Sequence, residues 1–182
     1  MRRYITDAEW TAFFGAISGS TTEIRDKAMF KVAYQHGLRV SELTGLQITD
    51  LDMAGKTLFI RRLKNGFSTI HPLQNETHHL IASWLEIRQS FAIPNSHWLF
   101  VSASGERLSR QWVYRLSGKY GKKSGVSVKI HPHMLRHACG YALANQGLDT
   151  RLIQDYLGHK NISHTVHYTA SNPNRFIKAW QT

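Results

Sequence analysis

Closely spaced helix starts and stops constrain this chain more than any other feature, because they forbid long helices and leave room for only a little sheet. Thr6-Asp7-Ala8-Glu9 reads as a capping box, in which a hydroxyl and a carboxylate satisfy unpaired N–H groups at a helix start. The helix it opens runs through Trp10, Phe13, Phe14 and Ile17 and ends at Ser18-Gly19-Ser20. A second helix is predicted over 22–36, with Ile24, Ala28, Met29 and Val32 on its buried side. Gly37 stops it in the left-handed conformation, and Ser41 reads as the cap of a short helix ending near Gly45. The period then changes. Thr57-Leu58-Phe59-Ile60 and Ser68-Thr69-Ile70 have strand composition, and Lys64-Asn65-Gly66 between them carries the Asn-Gly signal of a hairpin. Helices resume over 76–89 and over 110–119, the second capped by Ser109 and followed by a turn-rich stretch over 121–129. His131-Pro132 opens a helix that stops at Gly147, and Asp149 caps another that ends at Gly158. Residues 165–168 read as one helical turn or a tight loop, and Asn172-Pro173 starts a last short helix with Phe176, Ile177 and Trp180. The fold class is α+β, mostly helical, with a small antiparallel β-sheet.

A chain of 182 residues, 42% of them apolar, is expected to form one domain with a real core. Lys plus Arg number 23 against 12 Asp plus Glu, a formal net charge of +11. An excess of that size attracts polyanions, nucleic acid first. A membrane surface is the competitor, but no segment approaches the ~20 apolar residues that span a bilayer. Nor does a basic helix carry a clean lipid-facing stripe. The single cysteine, Cys139, lies amid Ala138, Gly140 and Ala142, which favours a small core residue in a reducing compartment. Met1-Arg2-Arg3-Tyr4 leads into a polar stretch with no apolar signal core, so a cytoplasmic protein is expected.

Four segments hold an unusual polar set: Gly37 to Leu43, Arg62 to Gly66, His131 to His137, and Leu157 to Thr169. Breaking a DNA phosphodiester without a metal requires a nucleophile, donors for the phosphate oxygens and a proton for the leaving oxygen. Tyrosine can attack phosphorus if its proton is drawn off. Arginine gives phosphate two charge-assisted hydrogen bonds, and a mobile lysine can protonate the departing oxygen. Arg39, Lys64, His133, Arg136, His159 and Tyr168 supply those types. The spacing of His133 and Arg136 puts both on one helix face. Singly, each has a bland reading: a surface arginine, a solvated hairpin lysine, a capping histidine, a packed tyrosine. The ordered set of two arginines and two histidines ahead of a late tyrosine reverses those odds.

These segments resemble the tyrosine recombinase, or phage integrase, family. Its pattern of Gly-Leu-Arg-x-Ser-Glu-Leu, hairpin lysine, His-x-Leu-Arg-His, Leu-Gly-His and tyrosine reads here as 37–43, Lys64, 133–137, 157–159 and Tyr168. Within it, the segments 62–69, 131–144 and 149–171 resemble the short recombinases that invert the promoter switch of bacterial type 1 fimbriae. The resemblance implies that Tyr168 forms a 3′-phosphotyrosine, Arg39 and Arg136 hold the phosphate, and Lys64 acts as general acid. It gives His133 a part in proton transfer, His159 a hydrogen bond to the phosphate, and Glu42 the support of Arg39. It implies no metal, no other cofactor and no ATP. Residues 1–182 are expected to form a single catalytic domain without the N-terminal DNA-clamping domain of larger members. The partners it implies are double-stranded DNA with inverted repeats, a homo-tetramer on paired sites and DNA-bending accessory proteins, at the bacterial nucleoid. Integration or excision of a mobile element, type IB topoisomerase activity and DNA binding without turnover are the competing outcomes. A zinc site on His131, His133 and His137 ranks well below recombination, because no Glu lies between them as a metalloprotease helix requires and Cys139 is a poor fourth ligand.

Overall fold

The capping box closes as its sequence requires. Glu9 N–H donates to the Thr6 hydroxyl at 3.2 Å, and Thr6 N–H donates to the Glu9 carboxylate at 3.0 Å. In the computed structural model, which describes residues 2–62, 66–91, 93–177 and 179, this box starts helix α1, Asp7–Gly15. Helices α2, Glu23–His36, and α3, Val40–Thr44, follow. A three-stranded sheet comes next: β1, Leu51–Asp52; β2, Thr57–Ile60; and β3, Thr69–Pro72. The rest is helical: α4, Asn75–Arg88; α5, Arg110–Ser124; α6, Pro132–Asn145; α7, Thr150–Leu157; and α8, Ser163–Thr169. The Lys64-Asn65 tip of the hairpin and Trp180 lie outside the described residues. Among the described residues, no helix is long and apolar enough to cross a membrane.

The sheet is antiparallel throughout, in the order β1-β2-β3, with Ile60 opposite Thr69. Sequence reading finds β2 and β3 but not β1, because two residues carry no periodicity. Helix α2 runs through the centre against α4 and α6, burying Ala28, Met29, Phe30 and Val32 completely. Ile24, predicted on its buried side, is exposed. Its place inside goes to Arg25, 2% exposed, which pairs with Asp26 at 2.7 Å and donates to the Val101 carbonyl. Asp26 also accepts from the Tyr120 hydroxyl at 2.6 Å, so this buried pair is fully hydrogen-bonded, the condition for tolerating it.

Two predicted boundaries move for identifiable reasons. Helix α5 continues past the expected end because Gly121 serves packing rather than a turn: a Cβ there would sit 3.1 Å from the Ile130 Cβ. The helix stops instead at Gly125, whose φ is +75°. The N-cap of α3 is Arg39, not Ser41, because the Glu42 carboxylate reaches back to the Arg39 N–H. The last predicted helix is a single 3-10 turn, Pro173–Phe176, with Phe176 and Ile177 exposed.

The core has a main body and a smaller satellite. The satellite gathers Cys139, Ala144, Ile153, Leu157 and Tyr168 from α6, α7 and α8. Between α2, β3 and α7 lies a buried histidine pair, with His36 Nδ1 at 3.0 Å from His71 Nδ1 and the Tyr156 ring stacked on His71 at 3.9 Å. Burial, with the charges of His71 and Arg62 behind it, pushes His36 down to about 3. Burial and then Arg62 do the same for His71. Both imidazoles stay neutral in the folded chain while an unfolded one gains protons below about pH 6.5. Their contribution is therefore complete above that pH and is lost as pH falls toward 3, by up to about 1.4 kcal/mol per pH unit for each ring. The urea midpoint should drop between pH 7 and pH 5, and His71→Gln should flatten that drop. An equal drop in the variant would remove His71 from the acid response.

Candidate active site

Gly37 makes the turn that delivers the first arginine. Its φ is +62°, and a Cβ there would lie 2.3 Å from Leu157 Cδ2, so both conformation and packing select glycine. Beyond the turn, Arg39 N–H donates to Glu42 Oε1 at 2.8 Å, and its guanidinium lies 3.4 Å from Oε2. The Glu42 side chain is fully buried and also meets Arg62 Nη1 at 3.1 Å. Arg62, at the end of β2, donates through Nη2 to the Tyr156 carbonyl at 2.6 Å. The Glu42 carboxylate thus binds α3 to the hairpin, and the Arg62 guanidinium binds the hairpin to α7. Gly158 completes the joint, since a Cβ there would meet Arg62 Nε at 2.7 Å. Sequence reading gives Glu42 its supporting part but gives Arg62 none.

Arg136 projects inward from α6 and is 2% exposed. Its Nη1 donates to the Gly37 carbonyl, which ties it to the turn carrying Arg39. Its Nη2 has no partner among the described residues. Burial, then the charges of Arg39 and Arg62, bring its pKa down to about 10, so it stays cationic at neutral pH. A buried cationic N–H without an acceptor is costly, and an anion's oxygen would remove that cost.

Tyr168 lies on α8 within the satellite core, 3% exposed. Its ring rests on Gly140, where any Cβ would come within 2.6 Å of ring carbons. The phenol oxygen is 2.9 Å from His137 Nδ1. Burial raises the phenol pKa above its usual value, and Arg136 and Arg39 pull it back. His159 follows the glycine ending α7. It is buried, bonds Thr165 Oγ1 through Nδ1 at 2.8 Å, and lies parallel to the Tyr168 ring at 6.5 Å. Burial, then Arg136 and Arg39, hold it down to about 3.

Both arginines therefore act electrostatically on both Tyr168 and His159, and these four predicted residues share one locality. Arg136 and Arg39 act on His133 as well, but its side chain is not enclosed with the others. It is exposed at the rim, with its ring edge-on to His137 at 4.4 Å, while Arg136 on the same helix points inward. Lys64 lies outside the described residues. Sequence reading misses His137 and Gly140 as neighbours of the tyrosine. The available signal is helical spacing: His133, His137 and Gly140 fall on successive turns of α6. Cys139 is buried, and burial pushes its thiol up to about 12, consistent with a core role. Among the described residues, no three His, Cys, Asp or Glu side chains converge to hold a metal, the low-ranked set of His131, His133 and His137 included.

Basic surface surrounds the site. A recess beside Tyr168's partner is lined by Arg2, Arg3, His131, His133 and His137. A larger one, about 800 Å³, lies along α5 with Arg115, Lys119, Lys122 and Lys129 in its walls.

Comparison with known proteins defines the class: residues 3–175 match the phage integrase family, and the chain belongs to it as a tyrosine site-specific recombinase. It is 47% identical over 179 residues to the type 1 fimbriae regulatory protein FimB of Escherichia coli K12, covering 98% of this chain and 90% of that protein. It is 48% identical over 181 residues to the type 1 fimbriae regulatory protein FimE of the same strain, covering 99% and 91%. Among solved structures, XerA recombinase superposes with a TM-score of 0.84 at 29% identity over 98% of this chain. The chain spans 65% of the length of that structure's chain. The expected helix-rich fold with a small antiparallel sheet is that of this catalytic domain.

Proposed function

We propose that the chain cuts and rejoins DNA at paired inverted repeats through a covalent bond between Tyr168 and the 3′ phosphate, and so inverts a promoter-bearing segment controlling fimbriae. The observation that carries the chemistry is the unmet Nη2 of buried Arg136, whose charge acts on the phenol as that of Arg39 does. A phosphodiester seated there receives Arg136 and Arg39 on its non-bridging oxygens, where charge grows in the transition state. His159 hydrogen-bonds the same group, His133 assists proton transfer, and Lys64 protonates the leaving 5′ oxygen. The phosphotyrosine keeps the bond energy, so the free 5′ hydroxyl can reseal a strand without ATP.

The fimbrial role rests on the near full-length similarity to FimB and FimE. Other recombinases of this fold have been solved bound to their DNA substrates, XerH on difH among them. Residues 1–182 act as one catalytic domain. Four copies assemble across two sites, DNA-bending proteins help bring those sites together, and the work is done in the cytoplasm at the nucleoid.

The test is capture of covalent adducts. The purified chain is incubated with fragmented DNA from its source chromosome, denatured, and the attached duplexes sequenced. Adducts should map to inverted repeats flanking a promoter and vanish in Tyr168→Phe, whose folding should survive loss of one hydroxyl. Adducts persisting in that variant would dismiss Tyr168 as nucleophile.

A further inference from the structure

We infer that His137 is a further catalytic residue, the group that takes the Tyr168 phenol proton during strand cleavage and returns it during religation. This rests on the recombinase reading above and adds to it a proton acceptor that the sequence does not single out.

Among the described residues, His137 Nδ1 at 2.9 Å is the one hydrogen-bonding partner of the phenol oxygen. That distance is within the reach a general base needs. The phenol oxygen cannot easily move away from it, because the ring is wedged against Gly140 on the same helix. His133, one turn earlier, touches the His137 ring rather than the tyrosine. His133 therefore stands next in line, between His137 and solvent, and the recess they line gives a proton a way out.

Burial, then His133 and His167, hold His137 down to about 4, so it is neutral at working pH. A neutral imidazole offers a lone pair to the phenol. Its positive form is disfavoured first by burial and then by the cationic groups around it. A phosphodiester anion seated by Arg136 reverses the local sign and raises the imidazole's proton affinity. The base is thus strengthened by the arrival of the substrate it serves, which limits idle phenolate formation in the free enzyme.

The step balances. The Tyr168 O–H bond breaks as the O–P bond forms, and the proton becomes the Nδ1–H of a His137 imidazolium. The P–O5′ bond breaks, its electron pair stays on O5′, and that oxygen takes a proton from Lys64 or water. In religation the 5′ hydroxyl attacks phosphorus and gives its proton to Lys64 or water as the P–O5′ bond forms, the O–P bond to tyrosine breaks, and the phenolate recovers its proton from His137.

The test uses a duplex recovered by adduct capture, remade with sulfur as the 5′ bridging atom at the scissile link. A thiolate leaves without a proton, so defects in the general acid are relieved and defects in the base are not. His137→Gln can still accept the phenol's hydrogen bond but cannot take its proton. It should slow single-turnover adduct formation by about 100-fold or more on both oxygen and sulfur duplexes. Lys64→Ala should be slow only on oxygen. A His137→Gln rate within about threefold of the unaltered chain, or a loss erased by sulfur, would overturn the inference while leaving the recombinase reading intact. No adduct from the unaltered chain on any duplex would sink both. Nitrogen NMR gives a check that needs no DNA and no folded variant of His137. In the free chain its Nδ1 should be unprotonated, and its resonance should move in Tyr168→Phe; a protonated Nδ1 would also overturn the inference.

Discussion

Arg136→Ala is expected to slow single-turnover cleavage by roughly 10³-fold while DNA affinity falls about tenfold or less. The asymmetry follows from where the guanidinium sits. It is buried, aimed by the Gly37 carbonyl, and has one nitrogen with no acceptor among the described residues. Its placement suits a single phosphate and contributes most where charge develops on that phosphate. Affinity, by contrast, is spread over the 23 Lys and Arg of the chain, most of which do not touch the site. Arg136→Lys keeps the charge but loses the planar fork, and should recover only part of the rate. Because the alanine variant also leaves the buried Gly37 carbonyl unpaired, its unfolding free energy must be measured beside its rate. Equal losses of binding and cleavage in a folded variant would remove Arg136 from the phosphate.

Glu42→Ala should cost about 3–5 kcal/mol of stability, the range for breaking a buried ion pair by deleting one partner. The Arg62 side chain is fully buried, its Nε already lacks a partner among the described residues, and the Glu42 carboxylate is its counter-charge. The Arg39 N–H loses its acceptor in the same substitution, so α3 loses its cap. Urea unfolding at neutral pH reads the loss directly. Removing the orphaned charge as well, in Glu42→Ala with Arg62→Leu, should recover part of it, since the two residues are coupled. A loss under about 1 kcal/mol in the single variant would mean that the carboxylate does not hold these elements together.

The sequence made most of the helical frame legible because the relevant physics is local. The Thr6 and Glu9 box, the Ser109 and Asp149 caps, and the stops at Gly37 and Gly158 each act within a few residues, and each appears where predicted. Failures cluster where distant residues decide. Gly121 looks like a breaker until Ile130 is placed against it. Ile24 looks buried until Tyr120 and Val101 supply partners for the Asp26 and Arg25 beside it. The same division runs through the site. Arg39, Arg136, His159 and Tyr168 stand out by motif and order. The contact between His137 and Tyr168 joins residues 31 apart in sequence, and only the packing of α8 onto α6 creates it.

The arginines around Glu42 have a thermodynamic consequence. Arg39 and Arg62 both repel Arg136, and the one carboxylate they share offsets only part of that repulsion. A free chain must fold against this residual strain between like charges. A phosphate seated between them would relieve it in the native state, where the guanidiniums are gathered, more than in the unfolded chain, where they are apart, so bound DNA is expected to raise the unfolding midpoint. A phosphate bound by Arg136 and Arg39 is therefore expected to steady the turn before α3 and the middle of α6 together, because those two segments carry the guanidiniums that repel one another.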